Sequence, residues 1–415
     1  MTAQTLFIII LTITIAGFVF DQWINYLNTT TRCTILPESL IGFYDQETYS
    51  KQQEYEGVNY RFGLISDFLS FLVIIVMLLM GGFAWVDTIV ISITLSSILQ
   101  AILFFAILAL ASDLIGLPLD IYHTFVIEER FGFNKTTART FVIDKLKGYL
   151  LGALVGGGIL ALIILIYEKA GSWFWVLAWI CISAFTLFIS YFYTTLLVPI
   201  FNKLSPLPQG ELRDAIEKVA ARAGFSLKDI SIMDGSKRST RGNAYFSGFG
   251  RKKSIVLFDT LINEHTVDEL VAVLAHEIGH YKKKHVLQGL VSGIIQTGVL
   301  LFVLSLLLKS PLPAYALGAS VPSFQMSVIA FGILYSPVSM VLGIVFNMIS
   351  RKHEYEADRF AVALSRPGAL QEALKRLSVK NLSNLTPHPW YVYIHYSHPA
   401  LLQRLAAIDK LSQRA

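Results

Sequence analysis

Charge is in short supply in this chain. Only 15% of its 415 residues are Asp, Glu, Lys or Arg, where a soluble domain carries about 25%. Together with 54% hydrophobic residues and a mean hydropathy of +0.57, the deficit excludes a water-soluble fold of this length. Cysteine is scarcer still. Cys33 and Cys181 are the whole complement, and they have neither metal-ligand spacing nor a compartment that favours a disulfide, which leaves both as structural residues. Internal repeats and low-complexity stretches are absent as well.

What remains between the charges is long. Charge-free runs cover 1–20, 68–86, 88–112, 149–167, 170–202, 286–308 and 310–350. Each approaches or exceeds the ~20 mainly apolar residues that cross a bilayer as helix. The last run opens with Pro311, Pro313, Gly318 and Pro322, so its helix is expected from near Gln325. A buried core helix explains any one run but not seven. Residues 1–20 carry no leading basic residue and no cleavage site, and they read as a first span rather than a signal peptide.

If the spans alternate, segments 21–67, 113–148, 203–285 and 351–415 share one side and hold 32 of the 34 Lys and Arg residues. Lys169 and Lys309 fall on the other side. That asymmetry makes the basic side cytoplasmic, with the N-terminus outside and the C-terminus cytoplasmic. It also accounts for the net charge of +5 without nucleic acid as a partner. The expected protein is a multi-pass, mainly α membrane protein with the lipid bilayer as its surroundings. Residues 1–202 form five transmembrane helices with cytosolic loops 21–67 and 113–148, the latter ordered rather than linker-like. Residues 203–285 form a cytosolic α/β unit, 286–350 two further spans, and 351–415 a cytosolic C-terminal region.

Within 203–285, Leu212, Ile216, Val219 and Ala220 have helical spacing inside 206–224. Ile230–Met233 reads as a short strand, and 243–250 with 254–259 as a hairpin joined by a turn at 250–253. Thr266 followed by Glu269 is a capping box that starts a helix running to about His285.

That helix carries His276-Glu-Ile-Gly-His280, an H-E-x-x-H pattern. Residues four apart share a helix face, so both imidazoles reach one ion, and Glu277 beside them takes a proton from the attacking water. Two imidazoles and a carboxylate suit one zinc ion with an open position. Chance produces such a match in on the order of one chain per hundred, and a surface histidine pair is the plainer explanation. The capped helix with apolar Val271, Leu274 and Ala275 favours chemistry. For the third ligand, His285 has the wrong spacing. Glu354, in Arg351-Lys-His-Glu-Tyr-Glu-Ala-Asp358 just after the last span, abuts the same membrane face. Asp358, four residues on, shares its helix face and can accept a hydrogen bond from a ligand imidazole, while Glu356 points elsewhere. Taken alone, this segment is a solvated charge cluster; the need for a carboxylate ligand reverses that.

Taken with Phe125-Val-Ile-Glu-Glu-Arg-Phe-Gly-Phe-Asn134, Pro199-Ile-Phe-Asn-Lys-Leu-Ser-Pro-Leu-Pro208, Asn243-Ala-Tyr-Phe246 and Tyr396-Ser-His-Pro399 followed by Leu402-Gln-Arg404, the chain resembles the CAAX prenyl protease 1 family along nearly its whole length. These are integral-membrane zinc metalloendopeptidases that trim the tripeptide from prenylated C-termini. The resemblance implies a ring of seven helices around a large chamber, with Glu354 as the glutamate ligand. It also implies that Asn243, Ala244, Tyr245 and Phe246 hold substrate along a strand edge, and that His398 and Arg404 face the site and stabilise the oxyanion. Asn243 as a plain loop end and His398 as a turn residue are the alternatives. The expected partner is a peptide or protein substrate, prenylated if the family's habit holds. The membrane is that of the endoplasmic reticulum or a bacterial inner membrane, according to the host. Rival readings are a membrane-protein quality-control protease and a non-catalytic zinc-binding scaffold, and the second has no use for Glu277. A transporter needs ionisable residues within several spans, which the runs lack.

Overall fold

The computed structural model describes residues 1–33, 35–225, 229–247 and 254–413. The turn expected at 250–253 lies outside them, as does the end of the strand expected over 243–250. Most membrane helices begin on a Ser, Thr or Asp whose side chain accepts one of the otherwise unpaired N–H groups of the first turn. These helices are α1 (Ala3–Thr30, capped by Thr2), α2 (Gln46–Leu79, Asp45), the short α3 (Gly82–Ile93), α4 (Ser97–Tyr122, Ser96) and α5 (Ala138–Leu151, Thr137). A π-helical turn, Gly152–Gly156, leads from α5 into α6 (Gly157–Ala170), which is followed by α7 (Phe174–Phe192). A second π-helical turn, Tyr193–Leu197, leads into α8 (Val198–Phe201).

The stretch Ala138–Phe201 is 64 residues of almost unbroken apolar helix. Straight, it would rise about 96 Å, three times the ~30 Å bilayer core. It folds back at Gly171, whose φ of +51° L-residues rarely adopt, and α6 packs on α7. With that hairpin counted as two, the six apolar stretches give seven spans.

Three of the expected boundaries shift. Segments 21–67 and 113–148 are mostly helix, because α1, α2, α4 and α5 continue past the apolar core with charges on their solvated turns. Asp87, which separates two of the charge-free runs, lies within α3 and is buried, accepting hydrogen bonds from Ser323 and from Gln325 Nε2 at 2.7 Å.

The second half supplies the α/β unit and the last spans. Strands β1 (Leu204–Pro206), β2 (Asp229–Met233), β3 (Ala244–Ser247) and β4 (Ser254–Phe258) form one sheet in the order β1-β2-β4-β3. β2 and β4 are parallel and the outer pairs antiparallel. Helices α9 (Glu211–Arg222), α10 (Asp259–Glu264) and α11 (Val267–Lys282) belong to this unit. Ile255 and Leu257 pack with Ile216, Leu270 and Leu274 on one face of the sheet. Tyr245 and Val256 face Val198 at the foot of the membrane region on the other.

There follow α12 (His285–Leu307), α13 (Leu312–Ala316), α14 (Phe324–Leu364), α15 (Ala369–Lys380), α16 (Pro389–His395) and α17 (Leu401–Ser412).

Packing neighbours close a ring: α1 on α2, α2 on α3, α3 on α4, α4 on α6, α6 on α7, α7 on α12, α12 on α14, and α14 back on α1. Within each apolar stretch only 6–17% of an 18-residue core is buried in the protein, too little for a solid bundle, so the helices surround an open interior. One end is closed by an apolar cluster from the start of α1, α3, the first half of α4, α13 and the start of α14, including Ile10, Val90, Phe104, Ala314 and Met326. The α/β unit and the last turns of α14 stand at the other.

Candidate metal centre

The capping box predicted for α11 is present. The Thr266 N–H donates to Glu269 Oε2 at 2.9 Å and the Glu269 N–H to Thr266 Oγ1 at 3.3 Å. Glu269 also accepts from Arg376 on α15 at 3.0 Å. Nearly three turns on, α11 crosses α14 at Gly279. A Cβ there would stand 3.1 Å from Phe360 Cβ and 3.2 Å from Ala357 Cα, so any larger residue would push the two helices apart and glycine allows the closest approach. On α14, Glu354, Ala357, Asp358 and Ala361 share the buried face that meets it. The close crossing therefore brings a carboxylate pair against the two histidines.

The distances follow from that crossing. His276 Nε2 and His280 Nε2 are 3.1 Å apart. Glu354 Oε2 is 3.4 Å from the first and Oε1 is 3.2 Å from the second. Oε2 is sealed from solvent and has no hydrogen-bond donor. On the far side of the His276 ring, Nδ1 lies 2.8 Å from Asp358 Oδ1. Arg404 forks onto that same carboxylate, Nη2 to Oδ1 at 2.5 Å and Nε to Oδ2 at 2.9 Å. The arginine expected to face the site holds Asp358 with two nitrogens, and its third, Nη1, lies 3.6 Å from Glu354 Oε2. His398 is different: its side chain is exposed, with Nε2 3.4 Å from Glu354 Oε1.

His280 has a support of its own that sequence reasoning missed. Its Nδ1 lies 3.1 Å from His285 Nδ1, and His285 Nε2 lies 3.2 Å from Glu356 Oε2. His353 stacks on the His285 ring at 3.9 Å. Each imidazole therefore has one nitrogen engaged in the protein and the other aimed at a common point with a Glu354 oxygen. Two nitrogens and a carboxylate that converge, one carboxylate oxygen orphaned, are a donor set suited to a zinc ion with one position open.

Protonation is shaped by the same contacts. Burial alone would lower the His276 pKa, but the adjoining carboxylates of Asp358 and Glu354 outweigh it and raise it to about 9. Burial raises the carboxyl of Glu277, which the histidines oppose and Glu354 reinforces.

β3 runs beside α11 and is the outer strand of the sheet. The Asn243 carbonyl accepts from the Phe258 N–H at 3.0 Å. By the alternation of an antiparallel ladder, the main-chain groups of Ala244 and Phe246 then face the open edge. The Asn243 side chain takes up the Ala244 N–H at 2.9 Å. The loop before β3 is clamped by 125–134: Thr240 donates its N–H to the Phe133 carbonyl at 3.1 Å, and the Arg241 guanidinium, lying over the Phe133 ring at 4.3 Å, pairs with Glu128.

Comparison with known proteins covers the whole of this architecture. A family model described as CAAX prenyl protease N-terminal, five membrane helices, matches residues 25–203, and the model of peptidase family M48 matches 206–412. The chain is similar to the CAAX prenyl protease 1 homolog of Arabidopsis thaliana, 35% identical over 95% of this chain and 97% of that one. It is similar to CAAX prenyl protease 1 of Saccharomyces cerevisiae, 33% identical over 96% and 94%. The crystal structure of S. mikatae Ste24p superposes with a TM-score of 0.92 at 32% identity, covering 97% of this chain and 99% of that one.

Proposed function

Since the chain belongs to peptidase family M48, as an integral-membrane metalloendopeptidase of the CAAX prenyl protease 1 type, we propose that it holds one zinc ion on His276, His280 and Glu354 and cleaves prenylated C-terminal peptides. The observation that carries this reading is the convergence of those three side chains, all donor atoms within 4.8 Å of one another. Bound there, zinc supplies Lewis-acid polarisation of the scissile carbonyl and acidifies the attacking water.

The chain's own residues do the rest. The substrate pairs as an extended strand with the open edge of β3, main chain to main chain, at the Ala244 carbonyl and at Phe246. Glu277, with its raised pKa, accepts the proton of the attacking water and returns it to the leaving amine. His398, the exposed imidazole beside Glu354, donates a hydrogen bond to the oxyanion as it develops. Asp358 fixes the ring of His276, and Arg404 fixes Asp358. His285 and Glu356 do the same for His280. The site stands at the ring end that carries most of the Lys and Arg residues, which supports a cytoplasmic active site and C-terminus and a cytosolic role for 203–285 and 351–415.

Wild type and Glu277→Ala, purified in detergent, test this by elemental analysis and by assay on a farnesylated CAAX peptide and its unmodified counterpart. Both are expected to hold about one zinc per chain, with cleavage confined to the wild type and faster on the farnesylated peptide. Absence of zinc from the wild type, or equal cleavage by both proteins, contradicts the reading.

A further inference from the structure

Helices α7 and α12 touch closely at one level and part at another. Toward the closed end of the ring, Trp179 lies against Gly298, 3.1 Å from where a Cβ would stand, and donates its indole N–H to the Ile294 carbonyl at 2.8 Å. Toward the metal end both walls carry small residues, Ser183 and Ser190 on α7 and Gly289 and Gly293 on α12. A cleft of about 940 Å³ opens between the helices there. A Cβ on Gly289 or Gly293 would meet nothing within 4 Å. The cleft is thus built by side-chain size, and it ends at Ile182 and Thr297, short of the contact between Trp179 and Gly298.

The head of the cleft joins the catalytic region at two points. Tyr245 of β3 lines it, with its ring 6.3 Å from that of Tyr193 in the π-helical turn after α7. Tyr281, the neighbour of His280 on α11, lines it too. On β3, alternate side chains face opposite sides of the sheet, and Tyr245 is on the side turned toward the membrane region.

We propose that this cleft receives the isoprenyl chain carried by the substrate residue next to the scissile bond. The inference rests on the reading of prenylated peptides as substrates. A peptide laid along β3 has side chains alternating in the same way, and one of its two faces looks where Tyr245 looks. The cleft walls are helix, whose main-chain groups are already bonded within α7 and α12. Apolar side chains dominate the lining, with the hydroxyls of Ser183, Thr186, Ser190 and Thr297 along the walls and Lys282 and Lys284 at the head, so the walls offer a polypeptide no main-chain pairing and suit a hydrocarbon chain. A phospholipid acyl chain shares that chemistry. Continuity with β3 and α11 favours an occupant tethered to the strand that β3 holds.

Two measurements decide it on the full-length protein in nanodiscs. The first is kcat/KM for farnesylated and unmodified peptides, in wild type, Gly293→Leu and Ser183→Leu. Filling the cleft is expected to lower the ratio of farnesylated to unmodified cleavage by about tenfold or more, at wild-type zinc content. A ratio that stays at the wild-type value in both variants overturns the proposal. The second is photo-crosslinking with a peptide whose farnesyl group carries a diazirine. Labels in α7 and α12 that excess farnesylated peptide displaces uphold the cleft. Labels elsewhere, or a cleft labelled by a diazirine phospholipid and never by the peptide, overturn it. If the wild type cleaves neither peptide, the substrate reading fails, and the crosslinks still decide the cleft on their own.

Discussion

In the membrane ring, at most 17% of the apolar 18-residue core of any stretch is buried within the protein. Around the crossing of α11 and α14, His276, Ile278, Gly279, Glu354, Ala357 and Asp358 are all buried. The two regions meet in one helix, because α14 runs from the ring into the crossing. The ring is specified by hydropathy, which many sequences satisfy. The crossing is specified by the sizes and hydrogen-bond partners of single residues. Substitutions should therefore act very unevenly: severely at the crossing, weakly on the exposed faces of the ring.

The largest effect is expected at Gly279. In Gly279→Leu the new side chain meets the backbone of α14, and the two helices must separate. Zinc content and activity should both be lost, with an overpacking cost of about 1–3 kcal/mol, read by elemental analysis and by thermal unfolding in detergent. Normal zinc content in this variant would break the comparison.

Asp358→Asn comes next. It removes the anion that holds His276 and leaves Arg404 without its carboxylate, and zinc affinity should fall by about 10- to 100-fold. This variant also has a pH signature. In the metal-free site His276 keeps its proton up to about pH 9. The raised pKa stabilises the metal-free fold fully below the ordinary histidine range, and that contribution is lost as pH rises through about 9. Zinc must displace the proton, so apparent affinity should weaken about tenfold per unit as pH falls below 9. Asp358→Asn should flatten that slope in competition titrations with a chelator.

His285→Ala should act in the same direction and less strongly, by about tenfold in zinc affinity, because His280 loses an oriented partner but Glu354 remains. The smallest effect is expected in the ring. Leu154, 68% exposed in the π-helical turn between α5 and α6, can become Ala with a change within about 0.5 kcal/mol and no loss of zinc.

Legibility in the sequence divides along the same line. The seven spans, the capped helix, the strand pair ahead of it and the candidate ligands could all be read from local patterns: apolar runs, a capping box, histidines four apart, and carboxylates four apart on one helix after a span. What escaped depends on changes of direction. His285 stands five residues after His280, a spacing that fails within one helix. But α11 ends at Lys282, Lys284 adopts a left-handed φ of 61°, and α12 begins at His285. The chain turns there and returns the imidazole to His280. Glu356, set aside as facing elsewhere, meets that imidazole. Asp87 broke an apolar run by its charge, while its partners Ser323 and Gln325 lie more than 230 residues away. The parallel pairing of β2 with β4 and the commitment of Arg404 to Asp358 are long-range in the same sense.

The central claim is that the carboxylate which α14 brings to the crossing completes the metal site. Zinc per chain in Glu354→Gln, purified beside the wild type, tests it most directly, since amide and carboxylate differ little in size. About one zinc in the wild type and a loss of it in the variant on mild chelation is the predicted result. Equal retention of zinc by both proteins, with peptide cleavage intact in the variant, would contradict it.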